Sequence, residues 1–83
     1  MYKVLIKRKA EKELNNIPDL FRERIKKGLY LLQTDPFMGK HLLGKLKGFY
    51  SLKIWPYRII YTIYKKDLVV FVISIAHRQN AYK

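Results

Sequence analysis

The spacing of apolar residues changes period along the chain, and each change marks an element. Tyr2-Lys3-Val4-Leu5-Ile6-Lys7 predicts a short first strand. From Arg8 to about Asn15 the residues are mostly charged, and the spacing of Ala10 and Leu14 puts both on the inner side of a helix. Asn15-Asn16-Ile17-Pro18-Asp19 predicts a break and a restart. It offers an asparagine to cap, a proline permitted in the first turn, and an aspartate near the positive end of the helix dipole. The second helix is expected from Pro18 to about Gln33, because Phe21, Ile25, Gly28, Leu29 and Leu32 fall on one stripe. Arg22, Lys26 and Lys27 lie among its outward positions. Asp35-Pro36 ends it, and the stretch from Phe37 to Gly48 reads as a loose connection carrying Lys40, His41, Lys45 and Lys47.

Beyond Gly48 the period falls to two. Phe49 to Trp55 puts Tyr50, Leu52 and Ile54 on one side and Ser51, Lys53 and Trp55 on the other. Pro56 makes a turn, after which Tyr57, Ile59, Tyr61 and Ile63 oppose Arg58, Ile60, Thr62 and Tyr64. Lys65-Lys66-Asp67 is a polar hairpin turn, and Leu68 to Ala76 is apolar on both faces, as a central strand would be. The expected architecture is a single α+β domain over residues 1–83. A short N-terminal strand leads into two helices packed on one face of a mostly antiparallel sheet, which ends in a three-stranded meander (β-α-α-β-β-β). The other face of the sheet is left for function.

Composition narrows the setting. A chain of 83 residues hides only roughly 60 to 65% of the surface its unfolded form exposes, so its core must be small. With 49% hydrophobic residues and no repeat or low-complexity tract, it reads as ordered throughout. The absence of cysteine excludes disulfides, thiolate metal sites and cysteine nucleophiles, and suits a cytoplasmic protein. The longest apolar run, Leu68 to Ala76, is about half a membrane span, and MYKVLIKRKA lacks the apolar region of a signal peptide. A soluble protein with no membrane partner is therefore expected.

Charge changes the picture most. Eighteen Lys and Arg stand against six Asp and Glu, a formal net charge of +12. Residues 1–40 hold ten basic and five acidic side chains, net +5, whereas residues 41–83 hold eight and one, net +7. The strand-rich half thus has almost no internal counter-charge. Solubility alone needs a net charge of only about 2 to 8, so the excess points to a polyanionic partner such as nucleic acid.

The residue inventory restricts the chemistry. Five of the six carboxylates lie in the helical half and Asp67 lies in a hairpin turn, so no pair is placed beside the strands to hold magnesium or act as an acid/base couple. His41 and His77 have no metal-ligand spacing around them, and no glycine-rich phosphate loop precedes a helix. No cofactor is expected. Lys53 and Arg58 flank a tight turn, and Arg78 leaves the end of the next strand, so all three converge on one rim if the strands pair in order. Metal-free RNA cleavage needs a base for the 2′-hydroxyl, positive charge on the phosphorane-like transition state, and an acid for the departing 5′-oxygen. Crowded cations help in general, because guanidinium neighbours disfavour the charge of a lysine and make it a better base. On composition alone, RNA binding is the stronger reading and cleavage the weaker.

Three motifs sharpen this. Tyr57-Arg58-Ile59-Ile60-Tyr61, the terminal His77-Arg78-Gln79-Asn80-Ala81-Tyr82 and the lead-in Leu43-Gly44-Lys45-Leu46-Lys47-Gly48-Phe49-Tyr50 stand in the order found in the RelE/ParE toxins of type II toxin–antitoxin pairs. The chain resembles that superfamily over essentially its whole length. The resemblance implies a RelE-like, metal-independent endoribonuclease that cuts mRNA on the ribosome, against 16S rRNA, and is neutralised by a cognate acidic antitoxin. It implies that Arg58 stabilises the transition-state phosphate, that Arg78 assists it or the leaving group, and that Tyr82 stacks on or orients the scissile nucleotide. Lys53 matches a basic residue of the catalytic strand and is the chosen base, with His77 beside it as acid or base. Lys45 and Lys47 would grip phosphates, and Ser51 and Trp55 are counted with them as RNA contacts. Ser51 stands where RelE-type enzymes often carry a basic residue, and Trp55-Pro56 replaces a more usual glycine-containing turn.

Plainer roles stand beside these. Arg58 also suits a strand charge that limits aggregation, His77 a hydrogen bond at a strand end, Trp55 and Tyr82 packing, and Lys53 a solvated lysine. Tyr57 and Tyr61 are expected in the core or just behind the site. Two other functions share the fold: a ParE-like inhibitor of DNA gyrase, and a non-catalytic RNA-binding module.

Overall fold

The computed structural model describes residues 1–80. Seven regular elements appear: β1 (Lys3–Ile6), α1 (Arg8–Asn15), α2 (Asp19–Leu32), β2 (Lys40–His41), β3 (Phe49–Ile54), β4 (Tyr57–Tyr64) and β5 (Val69–His77). Two single 3₁₀ turns, Pro36–Met38 and Gly44–Leu46, bracket β2. The sheet runs β1-β5-β4-β3-β2; β1 lies parallel to β5 and every other pair is antiparallel. A parallel pair needs a crossover, and the chain between β1 and β5 carries both helices over one face.

The helices bury the predicted stripes. Ala10 and Leu14 of α1, and Ile25, Gly28, Leu29 and Leu32 of α2, meet Leu52, Ile59, Tyr61, Val70, Val72 and Ile75 of the sheet. Gly28 allows a close approach: a Cβ there would stand 3.0 Å from Ile54 Cδ1 and 3.4 Å from Ile59 Cδ1, so Ile54 would have to give by a few tenths of an ångström. The helix restart differs from expectation. Pro18 occupies the N-cap of α2 with no side-chain cap, and Asn16 instead closes α1, its N–H donating to the Glu13 carbonyl at 3.2 Å while the Ile17 N–H donates to that of Leu14 at 3.1 Å. Among the described residues no helix is long and apolar enough to cross a membrane.

The connection expected to be loose is built. Asp35 caps the first 3₁₀ turn by accepting from the Phe37 N–H at 3.2 Å. Lys40 and His41 then add an edge strand opposite Ser51 and Tyr50. Its anchor is Tyr61, which is fully buried, donates its hydroxyl to the Pro36 carbonyl at 2.7 Å and accepts from the Gly39 N–H at 3.1 Å. A side chain at position 39 would run into that hydroxyl. Burial, opposed by the Gly39 hydrogen bond and reinforced by Tyr50 and Asp35, pushes the Tyr61 phenol up to about 12.

Strand β5 carries the irregularity that matters most. Ile59 pairs with Ile75 and Ile60 with Ser74, but Tyr61 pairs with Val72, so Ile73 is an extra residue. Core positions accordingly step from Val70 to Val72 and then to Ile75. Such a bulge reverses which face the following side chains take. Where β1 stops, the Lys7 N–H still reaches the Val72 carbonyl at 2.9 Å. Past that point Glu13 of α1 closes the open edge, accepting from the Ile75 N–H at 3.0 Å and the Ser74 hydroxyl at 3.1 Å, with Lys9 Nζ at 3.1 Å. An uncovered strand edge is thereby satisfied from a helix.

Candidate functional site

The face of the sheet opposite the helices is built from the residues that alternate with the core; Ser51 and Ile60 are buried on it, and it opens to solvent toward Lys53. Ser51 and Lys53 of β3 face the same way as Arg58 and Ile60 of β4, and the register sets Lys53 directly opposite Arg58 and Arg58 opposite Ala76. Directly opposed residues have Cβ atoms about 4.5 to 5.5 Å apart, so the lysine and arginine are neighbours by construction. Lys53 is exposed and Arg58 half-buried. Two residues past Ala76, beyond the end of β5, Arg78 is exposed and its backbone N–H donates to the Pro56 carbonyl at 2.8 Å.

Trp55 joins the set. The residue is 56% exposed at the β3–β4 turn, yet the Arg78 guanidinium lies 4.8 Å from its ring centroid and Lys53 Nζ 5.5 Å. Each such contact at an exposed site contributes about 0.5 to 1 kcal/mol. The three cations named from the sequence therefore gather at one corner of the open face. Without the extra residue at Ile73, Ala76 and Arg78 would share the alternation of Val70 and Val72, which is the helix side.

The remaining expectations divide. His77 is not brought to this corner. It pairs with Tyr57, its ring meets Tyr57 edge-on at 5.7 Å, and Tyr57 packs on Phe21 of α2 at 5.8 Å, on the helix-bearing side. Its Nδ1 accepts from the Gln79 N–H at 3.3 Å, the strand-end hydrogen bond of the plainer reading. Ser51 is 4% exposed, which leaves it little surface to offer a ligand. Lys45 lies in the second 3₁₀ turn and Lys47 directly after it, both exposed. Tyr82 falls outside the described residues.

Lys40, named among the basic residues of the connection but not among the site residues, also stands beside the site. Lys40 pairs with Ser51, and with His41, Leu42, Leu43, Leu46 and Arg58 it lines a groove of about 430 Å³. A two-residue strand is too short to show a period, so only the Pro36 and Gly39 punctuation hinted at it. The ion pairs among the described residues, Lys9–Glu13 and Arg22–Asp19, lie on the helices, as does most of the acidic charge. Among the same residues no three His, Asp or Glu side chains stand together as metal ligands. A polyanion meeting this corner finds cations, an indole and a leucine-walled groove.

Comparison with known proteins identifies the family and the fold. The family described as the ParE toxin of the type II toxin–antitoxin system parDE matches residues 4–82. A candidate toxin of Methanocaldococcus jannaschii, RelE1, is 27% identical over 86 residues, covering 99% of this chain and 96% of that protein. The fold is that of the toxin in the RelBE2 toxin–antitoxin complex of Mycobacterium tuberculosis, with TM-score 0.86, 25% identity, and 93% and 98% of the two chains covered. The RelE–RelB complex of Pyrococcus horikoshii gives TM-score 0.82 and 25% identity over 96% and 98%. Isolated RelE of Escherichia coli gives 0.79 and 28% over 93% and 84%.

Proposed function

The chain belongs to the RelE/ParE superfamily of type II toxin–antitoxin toxins, and from that premise we propose that it is a metal-independent endoribonuclease acting on mRNA at the ribosome. The observation that carries this reading is the cross-strand pair Lys53–Arg58 with Arg78 held beside it at Trp55. In the proposed reaction Lys53 accepts the proton of a ribose 2′-hydroxyl, and the freed oxygen attacks the adjacent phosphorus. Arg58 faces the phosphoryl oxygens as negative charge builds on them. Its planar fork matches two of them at once. The P–O5′ bond breaks, the 5′-oxygen takes a proton from a solvent water while Arg78 stabilises its negative charge, and a 2′,3′-cyclic phosphate remains. Tyr82 follows in sequence and is assigned to the scissile nucleotide. The leucine-walled groove beside Arg58 suits an unstacked base, while Lys40, Lys45 and Lys47 suit flanking phosphates.

The partner that restrains this activity is an antitoxin, as in the complexes from M. tuberculosis and P. horikoshii. With a net charge of +12 on this chain, the matching segment is acidic and apolar, and the pair works in the cytoplasm. The name of the matching family, ParE, favours a second reading, inhibition of DNA gyrase. One experiment separates the two. Ribosomes programmed with a defined message and an empty A site are mixed with the protein, and supercoiling by gyrase is assayed in parallel. The ribonuclease reading expects cuts phased to the codon in the A site and unaltered supercoiling; intact message with blocked supercoiling would replace it with the gyrase reading.

A further inference from the structure

Trp55 is the single tryptophan of the chain, and the sequence offers it as a candidate RNA contact. The structure puts two cations on it instead. Arg78 lies at 4.8 Å and Lys53 at 5.5 Å from the same ring centroid. The residues come from opposite ends of the site. Lys53 is in β3, two positions before the turn, and Arg78 lies past the end of β5, its backbone N–H donating to the Pro56 carbonyl at 2.8 Å. Pro56 and Trp55 are adjacent, so one turn holds Arg78 by backbone and by side chain together.

This arrangement addresses a difficulty the site creates for itself. Three neighbouring positive side chains repel, and each has several free torsions, so in isolation they would splay into solvent. The negative face of an indole attracts both cations without adding an anion that would compete for them as a carboxylate does. We infer that Trp55 is a positioning residue: it holds Arg78 and Lys53 in reach of Arg58 before RNA arrives, rather than serving as a platform for a base. The inference rests on the ribonuclease reading for its kinetic consequence, but not for the stack itself.

The test has two arms. In the protein alone, the fluorescence of Trp55 reports the stack. Replacing Arg78→Ala should move the emission maximum and increase quenching by acrylamide, and Lys53→Ala should do so to a smaller degree; identical spectra and quenching in both variants would overturn the stack. In the second arm, single-turnover cleavage on programmed ribosomes is measured against protein concentration. Trp55→Ala should lower the saturating rate about 10- to 100-fold, the scale of a misplaced catalytic group, while the concentration for half-saturation changes less than about threefold. Trp55→Phe, which keeps an aromatic face, should recover most of the rate. A weakened half-saturation with the rate intact would make Trp55 a base platform, and equal rates in Trp55→Ala and wild type would remove its role. Thermal melts of both variants confirm folding. If the wild type cuts no message, the ribonuclease reading falls, and the fluorescence arm still decides whether Trp55 holds the cations.

Discussion

The two faces of the sheet are made from alternate residues of the same strands and obey different rules. On the helix side, Leu52, Ile59, Tyr61, Val70, Val72 and Ile75 are almost fully removed from water, and their identity follows from a single demand, apolar volume. On the open side, Lys53, Arg58 and Arg78 repel one another and are gathered by register, a bulge and an indole ring. Stability is concentrated on the first face and chemistry on the second. Neighbours in sequence, one peptide bond apart, thus belong to separate functions.

Ile59 and Arg58 offer the widest break of that comparison. Ile59→Ala should cost about 2 to 5 kcal/mol of stability by leaving a cavity in the core, read as a fall in denaturation midpoint. Arg58→Ala should leave the melt near wild type and reduce cleavage about 10²- to 10³-fold, the effect of removing a charge-stabilising donor. A variant of Arg58 that retained full cleavage would take the chemistry away from the open face.

Tyr61 links the faces, since its buried hydroxyl fastens the loop that places Lys40 beside the groove. Tyr61→Phe should cost about 1 to 3 kcal/mol, because the Pro36 carbonyl and Gly39 N–H lose a shared partner. It also carries a pH signature. The phenol of the folded protein is raised from 10.0 to about 12, so folding favours its protonated form. That stabilisation is complete below pH 10 and is lost as pH rises toward 12. The stability difference between wild type and Tyr61→Phe should therefore shrink over this window in alkaline denaturation, and a constant difference would contradict the assignment.

Glu13 tests the edge of β5. Glu13→Ala should cost about 1 to 2 kcal/mol by freeing the Ile75 N–H and Ser74 hydroxyl, and hydrogen exchange at Ile75 should accelerate while exchange at Val70 does not. The smallest effect belongs to Lys53→Gln. Relieving a like-charge pair directly across two strands is worth about 0.2 to 1 kcal/mol, and the lost contact with Trp55 costs about 0.5 to 1 kcal/mol, so the melting temperature should stay within about 5 °C of wild type. A larger fall would mean that Lys53 and Arg58 do not repel in the folded protein.

Legibility in the sequence followed the same division. Helix α1 and strand β4 were predicted to the residue, and α2, β3 and β5 within one or two, because each buries one face against water and must show a period of 3.6 or 2. The stretch between Asp35 and Gly48 was read as loose because two 3₁₀ turns and a two-residue strand show no period, and the hydrogen bonds that order it come from Tyr61, more than twenty residues away. Lys53, Arg58 and Arg78 were legible as types and in order, the two arginines through the motifs at residues 57–61 and 77–82 and Lys53 through its place in the strand before the turn. His77, in the same motif as Arg78, was grouped with them and lies on the other face.

Alternation of apolar and polar residues along one chain was enough to determine six of the seven regular elements, the layer of helices and the cationic character of the open face, because burial acts on each position through its immediate neighbours. Tertiary structure alone decided that β5 holds one residue too many at Ile73, that Arg78 consequently turns away from the helices while His77 turns toward them, and that Trp55 carries cations. Those outcomes depend on which backbone groups pair across strands. A hydrogen-bonded register joins residues far apart in the chain, and no local pattern encodes it.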